Sequence, residues 1–358
     1  MDRCDIIMPV WNEHEITREC VDSLQKSTGY PFRLIIINNG SDAATKGYLD
    51  GLCAKKETEI VLVRNPENLG FVKAVNQGLK LSDSRYACIM NNDTIATEGW
   101  LKEMVDVAES DPAIGLVNPS SNTSGQFPPD GKGIEEYALL LKQFRGETQE
   151  LYNCRGFCML LKKEVIEKVG LLDEEYGIGY FEETDYCRRA HGAGFSAVRA
   201  KASYVYHRER ATFDKLKDAK ALFKANENIF FKKWGRPVKI AYLADSASYA
   251  DKTNDIAVDA ARHGYRVSVF LKKGLPWPVK IDHFDIRRLD ISAALFGLIS
   301  ACKILKDRKK KPLEVVITDN EALGRFLTAM KPLHGSEVVV GADKKSVLEL
   351  LEKRSRNF

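Results

Sequence analysis

Short, nearly continuous apolar runs alternate with helical patterns through the first hundred residues, and this alternation limits the fold more than anything else in the chain. Runs over 4–10 (CDIIMPV), 32–37, 60–63 and 86–90 read as strands, with helices expected over 13–26, 43–55 and 72–81. Strands this uniformly apolar are buried on both faces, so the pattern predicts a parallel sheet covered by helices on each side. Ligands of such sheets bind beyond the carboxyl ends of the strands. The polar signatures fall there: Trp11-Asn12-Glu13 after the first run, Asn38-Asn39-Gly40-Ser41 after the second and Asn91-Asn92-Asp93 after the fourth.

Residues 118–133 (NPSSNTSGQFPPDGKG) are rich in turn-forming residues and predict a long loop of the functional or mobile kind. Beyond it, strands are expected over 156–161 and 197–207, and helices over 163–169, 183–192 and 214–234. The segment Trp234-Gly235-Arg236-Pro237 is a stop signal and sets the expected domain boundary, giving domains 1–235 and 236–358. A second strand–helix series follows, with Gly264 expected to cap a helix over 254–263. It has no glycine-rich loop after its first strand, only Ala244-Asp245-Ser246-Ala247, so nucleotide binding is not expected there.

The charge balance, Lys+Arg 54 against Asp+Glu 50, gives no basic excess of the kind a nucleic-acid partner requires. The run KDRKKK over 306–311 reads as a solvated segment that an acidic membrane surface would also attract. The 8 cysteines are scattered without metal-site spacing and read as reduced, mostly buried thiols. No signal peptide precedes the first strand, and no apolar run nears the ~20 residues of a membrane span. These features predict a soluble cytoplasmic protein, at most peripheral to the inner face of the membrane.

Asp93 at a strand end suits a divalent cation held against a diphosphate, since Mn²⁺ and Mg²⁺ take oxygen ligands and few protein carboxylates. Taken alone, the motif favours instead an Asx turn that ends the strand, with Asp93 capping the next helix. Glu182, Glu183 and Asp185 form an acidic cluster that offers a general base, or simply an acidic first helical turn. His207 is a further metal-ligand candidate, or a hydrogen-bonded strand-end residue. Asn68-Leu-Gly-Phe71 with Lys73 opens a helix at which Lys73 would meet a phosphate, and is also an ordinary turn and helix start.

Taken in order, IIMPVWN at 6–12, NNGSD at 38–42, NLGFVKAVNQGL at 68–79, IMNNDT at 89–94, RGFCMLLKKEVIEKVGLLDEEY at 155–176, YFEETDYCRRAHGAGF at 180–195 and YVYH at 204–207 resemble a family-2 glycosyltransferase, rhamnosyltransferase-like members above all. The resemblance covers roughly residues 4–210. It implies a GT-A fold, an α/β doubly wound mixed sheet, followed here by a smaller Rossmann-like α/β domain that resembles a truncated GT-B half. It implies Pro9, Val10, Trp11 and Glu13 at the base with Asn38 and Asn39, and Asn92 and Asp93 at the DxD-type metal site. Gly156 and Phe157 would flank donor sugar and acceptor, Glu183 beside Glu182 would be the base, and His207 would stand near metal and diphosphate. Asn38, Asn92 and Glu183 depart from the family's usual aspartates.

The activity so implied is metal-dependent, inverting transfer of a sugar from a nucleotide-diphosphate donor to a glycan or lipid-linked acceptor in cell-surface polysaccharide synthesis. The second domain would serve acceptor, partner protein or self-association. A sugar-phosphate nucleotidyltransferase would want a glycine- and basic-rich loop where Pro9–Glu13 stands. A glycan-binding or scaffold protein on a transferase fold is the remaining alternative.

Overall fold

A computed structural model describes residues 3–209, 219–307 and 312–357. The start of the expected 214–234 helix and most of the 306–311 charge run lie outside the described residues. The chain divides into two compact units, Met1–Gln149 with Asn153–Ile229, and Glu150–Tyr152 with Phe230–Phe358.

The first unit runs β1 (Cys4–Val10), α1 (His14–Ser27), β2 (Phe32–Asn39), α2 (Ala43–Lys55), β3 (Ile60–Asn65), α3 (Phe71–Leu81), β4 (Tyr86–Met90) and β5 (Thr94–Ala96). It continues with α4 (Trp100–Ser110), β6 (Ile114–Ser120) and α5 (Ile134–Leu141). The division of the units falls within β7 (Thr148–Leu151). Then come β8 (Cys158–Lys162), α6 (Lys163–Val169), α7 (Glu182–Gly192), β9 (Ser196–His207) and α8 (Ala219–Trp234). The sheet order is β3-β2-β1-β4-β8-β6-β9-β5. Strands β3, β2, β1 and β4 are mutually parallel, whereas β8 is antiparallel to both β4 and β6 and β5 is antiparallel to β9. The sheet is therefore mixed, and the carboxyl ends of β1, β2 and β4 share one edge.

Helices cover the sheet by their apolar stripes. In α1 the buried side chains are Thr17, Cys20, Val21 and Leu24, the spacing of one helical face. Helix α3 lies close on β1 because Gly78 carries no side chain: a Cβ there would stand 2.3 Å from Ile7 Cγ2. The expected loop over 118–133 begins later than its composition suggests. Asn118, Pro119 and Ser120 complete β6 and are buried. Their polar groups are met inside the sheet, Asn118 Nδ2 donating to Arg155 O at 3.0 Å and Ser120 Oγ to Lys201 O at 3.0 Å.

At the opposite, amino edge, Asp5 and Arg33 are register partners on β1 and β2 and form a bidentate pair, both bonds 2.9 Å. Burial would raise the Asp5 carboxyl. Donation from Arg33, Ser82 and Ser84 and the Arg33 charge outweigh it and hold the group below the ordinary aspartate range.

The second unit contains β10 (Lys239–Ala244), α9 (Ala250–Arg262), β11 (Arg266–Lys272), β12 (Ile286–Ile291), α10 (Phe296–Asp307), β13 (Val315–Thr318), α11 (Glu321–Ala329), α12 (Lys331–His334), β14 (Glu337–Val340) and α13 (Lys344–Arg356). Its five strands are all parallel in the order β12-β11-β10-β13-β14, reversing direction of addition at β10. At that switch point the polar groups are matched internally, Asp319 by Tyr242 and Lys252 and Asp245 by Asn320. Gly264, in the left-handed region at φ 81°, follows α9 as its composition led one to expect.

Asp5→Asn should destabilise the first unit by about 3 kcal/mol at neutral pH, because it removes the buried bidentate carboxylate and leaves Arg33 only the exposed Asp83 and Glu59. The depressed carboxyl stabilises the fold above about pH 4, its unfolded value, and that contribution disappears as pH falls through the folded value. Denaturant melts of the two proteins should therefore converge in acid. Equal stability at pH 7 would contradict this account.

Candidate active site

A cavity of about 440 Å³ opens at the carboxyl edge of the first sheet, within the size range of small-ligand pockets. Its walls are partly apolar, from Pro9, Val10, Trp11, Leu69, Phe71 and Ile178, and its polar residues include Asn39, Lys73, Asn91, Asn92, Asp93, Glu174 and His207. Each wall traces to one strand end. β1 delivers residues 9–11, and the chain then turns through Asn12 and Glu13, both left-handed at φ 59° and 60°. That turn is braced by Ser41, whose Oγ accepts from Asn12 N at 3.0 Å.

Asn39, at the end of β2, organises the next wall. Its Oδ1 accepts from Leu69 N and Asn65 Nδ2 at 3.1 and 3.0 Å, while its Nδ2 donates to Asn68 Oδ1 at 2.8 Å. Asn68 Oδ1 also accepts from Gly70 N at 2.9 Å. This amide chain fixes the 68–70 turn, and Gly70, at φ 86°, then admits α3 with Lys73 in its first turn. No ion pair ties Lys73 to a carboxylate among the described residues.

Asp93 and His207 meet although 114 residues separate them. The antiparallel register Thr94↔His207 between β5 and β9 places them side by side. His207 Nε2 lies 3.0 Å from Asp93 Oδ1, and Asn91 Nδ2 lies 3.4 Å from the same nitrogen. The ring stacks on Phe157 (centroids 5.0 Å apart, planes at 15°), and Thr123 Oγ1 lies 3.2 Å from Nδ1. Asp93 does not cap a helix: β5 follows it, and the next helix, α4, begins after Gly99.

The acidic cluster at 182–185 separates into two kinds. Asp185 is fully buried and paired with Arg189 Nε at 2.8 Å, a structural i,i+4 bridge. Glu182 and Glu183 each keep one buried carboxylate oxygen without a hydrogen-bond partner. Burial and then the neighbouring Glu183 push the Glu182 carboxyl well above the usual glutamate range. Burial raises Glu183 also, but hydrogen bonds from its own amide and Glu182 and the Arg155 charge oppose the rise. The two carboxyls therefore titrate as one interacting pair, both shifted upward by burial.

The structure brings Pro9, Val10, Trp11, Asn39, Asn68, Lys73, Asn92, Asp93 and His207 to one cavity. Glu13, Asn38, Gly156, Phe157, Glu182 and Glu183 are not among its lining residues. Asn38 is 1% exposed and closes the 38–41 turn by accepting from Ser41 N at 3.0 Å. Gly156 stands between the two groups: a Cβ there would lie 3.8 Å from Glu182 Oε1 and 3.9 Å from the Phe71 ring. Sequence reasoning missed Asn91, Phe71, Glu174, Gly177, Ile178 and Glu209 as lining residues. Asn91 and Phe71 lay inside motifs already singled out, whereas nothing in residues 174–178 marks them as a cavity wall.

Residues 5–170 match the model of the family described as Glycosyl transferase family 2. An uncharacterized protein of Sinorhizobium fredii is 24% identical over 283 residues, 72% of this chain and 30% of that protein. An uncharacterized glycosyltransferase of Haemophilus influenzae is 29% identical over 112 residues, 30% of this chain and 34% of that one. Glycosyltransferase AglE of Haloferax volcanii is 24% identical over 199 residues, 54% and 63% of the two chains. This chain thus spans about a third of the first two relatives and under two thirds of the third. Among solved structures, that of GalNAc-T7 with UDP, GalNAc and Mn²⁺ superposes with TM-score 0.50 at 14% identity, over 64% of this chain and 48% of that chain. The likeness shows the fold, GT-A. Among the described residues no helix is long and apolar enough to cross a membrane.

Asn39→Ala should leave Leu69 N without its acceptor and Asn65 Nδ2 with only Gln77, and cost about 2 kcal/mol. A thermal melt should drop by several degrees, and an unchanged melt would show that the 68–70 turn is held without this amide.

Proposed function

We propose that this chain, whose first unit belongs to glycosyl transferase family 2, moves a sugar from a nucleotide-diphosphate donor onto an acceptor hydroxyl with inversion at the anomeric carbon. The observation that carries the reading is the Asp93–His207 pair, 3.0 Å apart, in the same cavity as Lys73. Ligands adjacent around an octahedral Mn²⁺ or Mg²⁺ with bonds of about 2.1 Å stand about 3.0 Å apart. The Thr123 hydroxyl can donate to or accept from His207 Nδ1, so it suits either tautomer, including the one with Nε2 free to ligate. Among the described residues no group of three or more His, Cys, Asp or Glu gathers as a metal site. A cation here would take its other ligands from diphosphate and water. The donor set fits a divalent metal held by Asp93 and His207, which would neutralise charge on the diphosphate as it leaves.

The chain's own residues do the rest. Trp11, Pro9, Val10 and Leu69 offer flat apolar surface for the base. Glu13, Asn38, Asn39 and Asn68 shape the turns that hold those walls. Lys73, with the amino end of α3, meets phosphate oxygens. Asn92 is held by its bond from Nδ2 to Thr17 Oγ1, 2.9 Å, which leaves its carbonyl oxygen for the donor. Gly156 lies between this cavity and Glu182, and Phe157 stacks on His207. Glu183, whose carboxyl is favoured in its ionised form by its own amide, by Glu182 and by the Arg155 charge, accepts the acceptor's proton as its oxygen attacks the anomeric carbon and the bond to diphosphate oxygen breaks. A glycan or lipid-linked acceptor, as in cell-surface polysaccharide synthesis, and a cytoplasmic site of action complete the proposal. The second unit would bring acceptor, partner protein or a second copy.

Glu183→Gln should lower transfer by at least about 10²-fold while nucleotide-sugar binding persists. In the wild type the acid limb of kcat should lie above the ~4.3 of a free glutamate, because the pair's value is raised and the base works only when ionised. Kinetics across pH on a panel of UDP-, GDP- and dTDP-sugars would test both. An active Glu183→Gln enzyme with an unchanged acid limb would remove Glu183 from the base role.

A further inference from the structure

The segment that leads into the carboxyl pair, Gly177-Ile-Gly-Tyr-Phe181, is conformationally costly. Gly177, Gly179, Tyr180 and Phe181 take φ of 59°, 143°, 72° and 73°. For Tyr180 and Phe181 the left-handed region costs of order 1–3 kcal/mol each, and such conformations persist only where their surroundings impose them. Phe181 is the residue before α7, and its carbonyl accepts the first helical bond, from Asp185 N at 2.8 Å. The torsions of 180 and 181 therefore aim the first turn of α7, on which Glu182 and Glu183 sit.

Contacts from α8, outside every motif discussed above, hold this path. Asn226 is 3% exposed, and its Nδ2 donates to Tyr176 O at 2.8 Å, Gly179 O at 2.7 Å and Tyr180 O at 3.3 Å. Three carbonyls of one loop thus converge on a single amide nitrogen. Phe223, three residues earlier and on the same helical face, packs its ring against both Tyr180 and Phe181, at centroid distances of 5.4 and 5.2 Å. At the other end of the loop, Ile178 O accepts from Phe71 N at 3.3 Å, so the cavity wall at 177–178 has a separate tie to α3.

We propose that Asn226, supported by Phe223, is a positioning residue that holds the 176–181 loop in its strained path and so sets the orientation of the Glu182–Glu183 pair. The inference rests on the transfer reaction proposed above for its kinetic consequence, but not for its structural one. Because the 177–178 wall is tied separately, loss of the clamp should disorder the carboxyl pair far more than the donor cavity. A misplacement of about 1 Å in a catalytic group costs up to about 10²-fold in rate.

Two measurements on Asn226→Ala test this. Hydrogen exchange of the full chain, with no ligand, should show faster exchange at the amides of 179–183 while β1, β2 and β4 keep wild-type protection. On the UDP-, GDP- and dTDP-sugar panel, kcat should fall at least about tenfold, with the donor dissociation constant within about threefold of wild type. Should Asn226→Ala fail to fold, Phe223→Leu carries the same expectations at smaller size. Wild-type exchange at 179–183, or equal losses in kcat and donor affinity, would overturn the clamp. If the wild type transfers no sugar at all, that failure belongs to the function proposed above, and the exchange result alone decides the clamp.

Discussion

Parallel strands end together. Because β1, β2 and β4 run in one direction side by side, every polar segment that leaves them must emerge at the same edge. Buried strands cannot accommodate those polar groups earlier, so the apolar runs push Trp11, Asn39 and Asp93 into one neighbourhood without any contact among them being needed. The cavity is a consequence of strand direction. Its polar groups differ in what they do there: the Asn39–Asn68 amides bond one another and hold turns, while Lys73 and the adjacent Asp93 and His207 line the cavity.

Much of this was legible in the sequence because it depends on local pattern. The strand ends, the α3 start at Gly70 and the helices over 163–169 and 182–192 follow from periodicity and turn residues. The readings left open in the sequence were those that depended on register or on a distant partner. Asp93 reads as a helix cap until β5, three residues long and without periodicity of its own, is seen to pair with β9 and bring His207 beside it. The 182–185 cluster reads as one acidic turn until Arg189 claims Asp185 while each of the two glutamates keeps a buried oxygen without a partner. Asn226 carries no signal at all, since an asparagine within a helical stretch is ordinary until three carbonyls are found around it.

The same division separates stability from function. At the amino edge, Asp5 and Arg33 are fully matched, with each carboxylate oxygen bonded. At the carboxyl edge, buried carboxylate oxygens stand without partners and Tyr180 and Phe181 occupy strained torsions. Groups left unsatisfied in a folded interior are costly, and Glu182 and Glu183 stand together among those the fold tolerates. The second unit shows the opposite condition at its own switch point, where Asp245 and Asp319 are met by Asn320, Tyr242 and Lys252. Those carboxylates are matched within the unit, and the donor site proposed above is assigned to the first unit.

The most direct test of that assignment is a thermal-shift screen of UDP, dTDP, GDP, ADP and CDP, each with and without Mn²⁺, on the wild type and Asp93→Ala. A ligand that binds only the folded state raises the melting temperature. The account predicts stabilisation by one base that requires the metal in the wild type and vanishes in Asp93→Ala. A well-folded wild-type protein that none of the five stabilises, with or without metal, would contradict it.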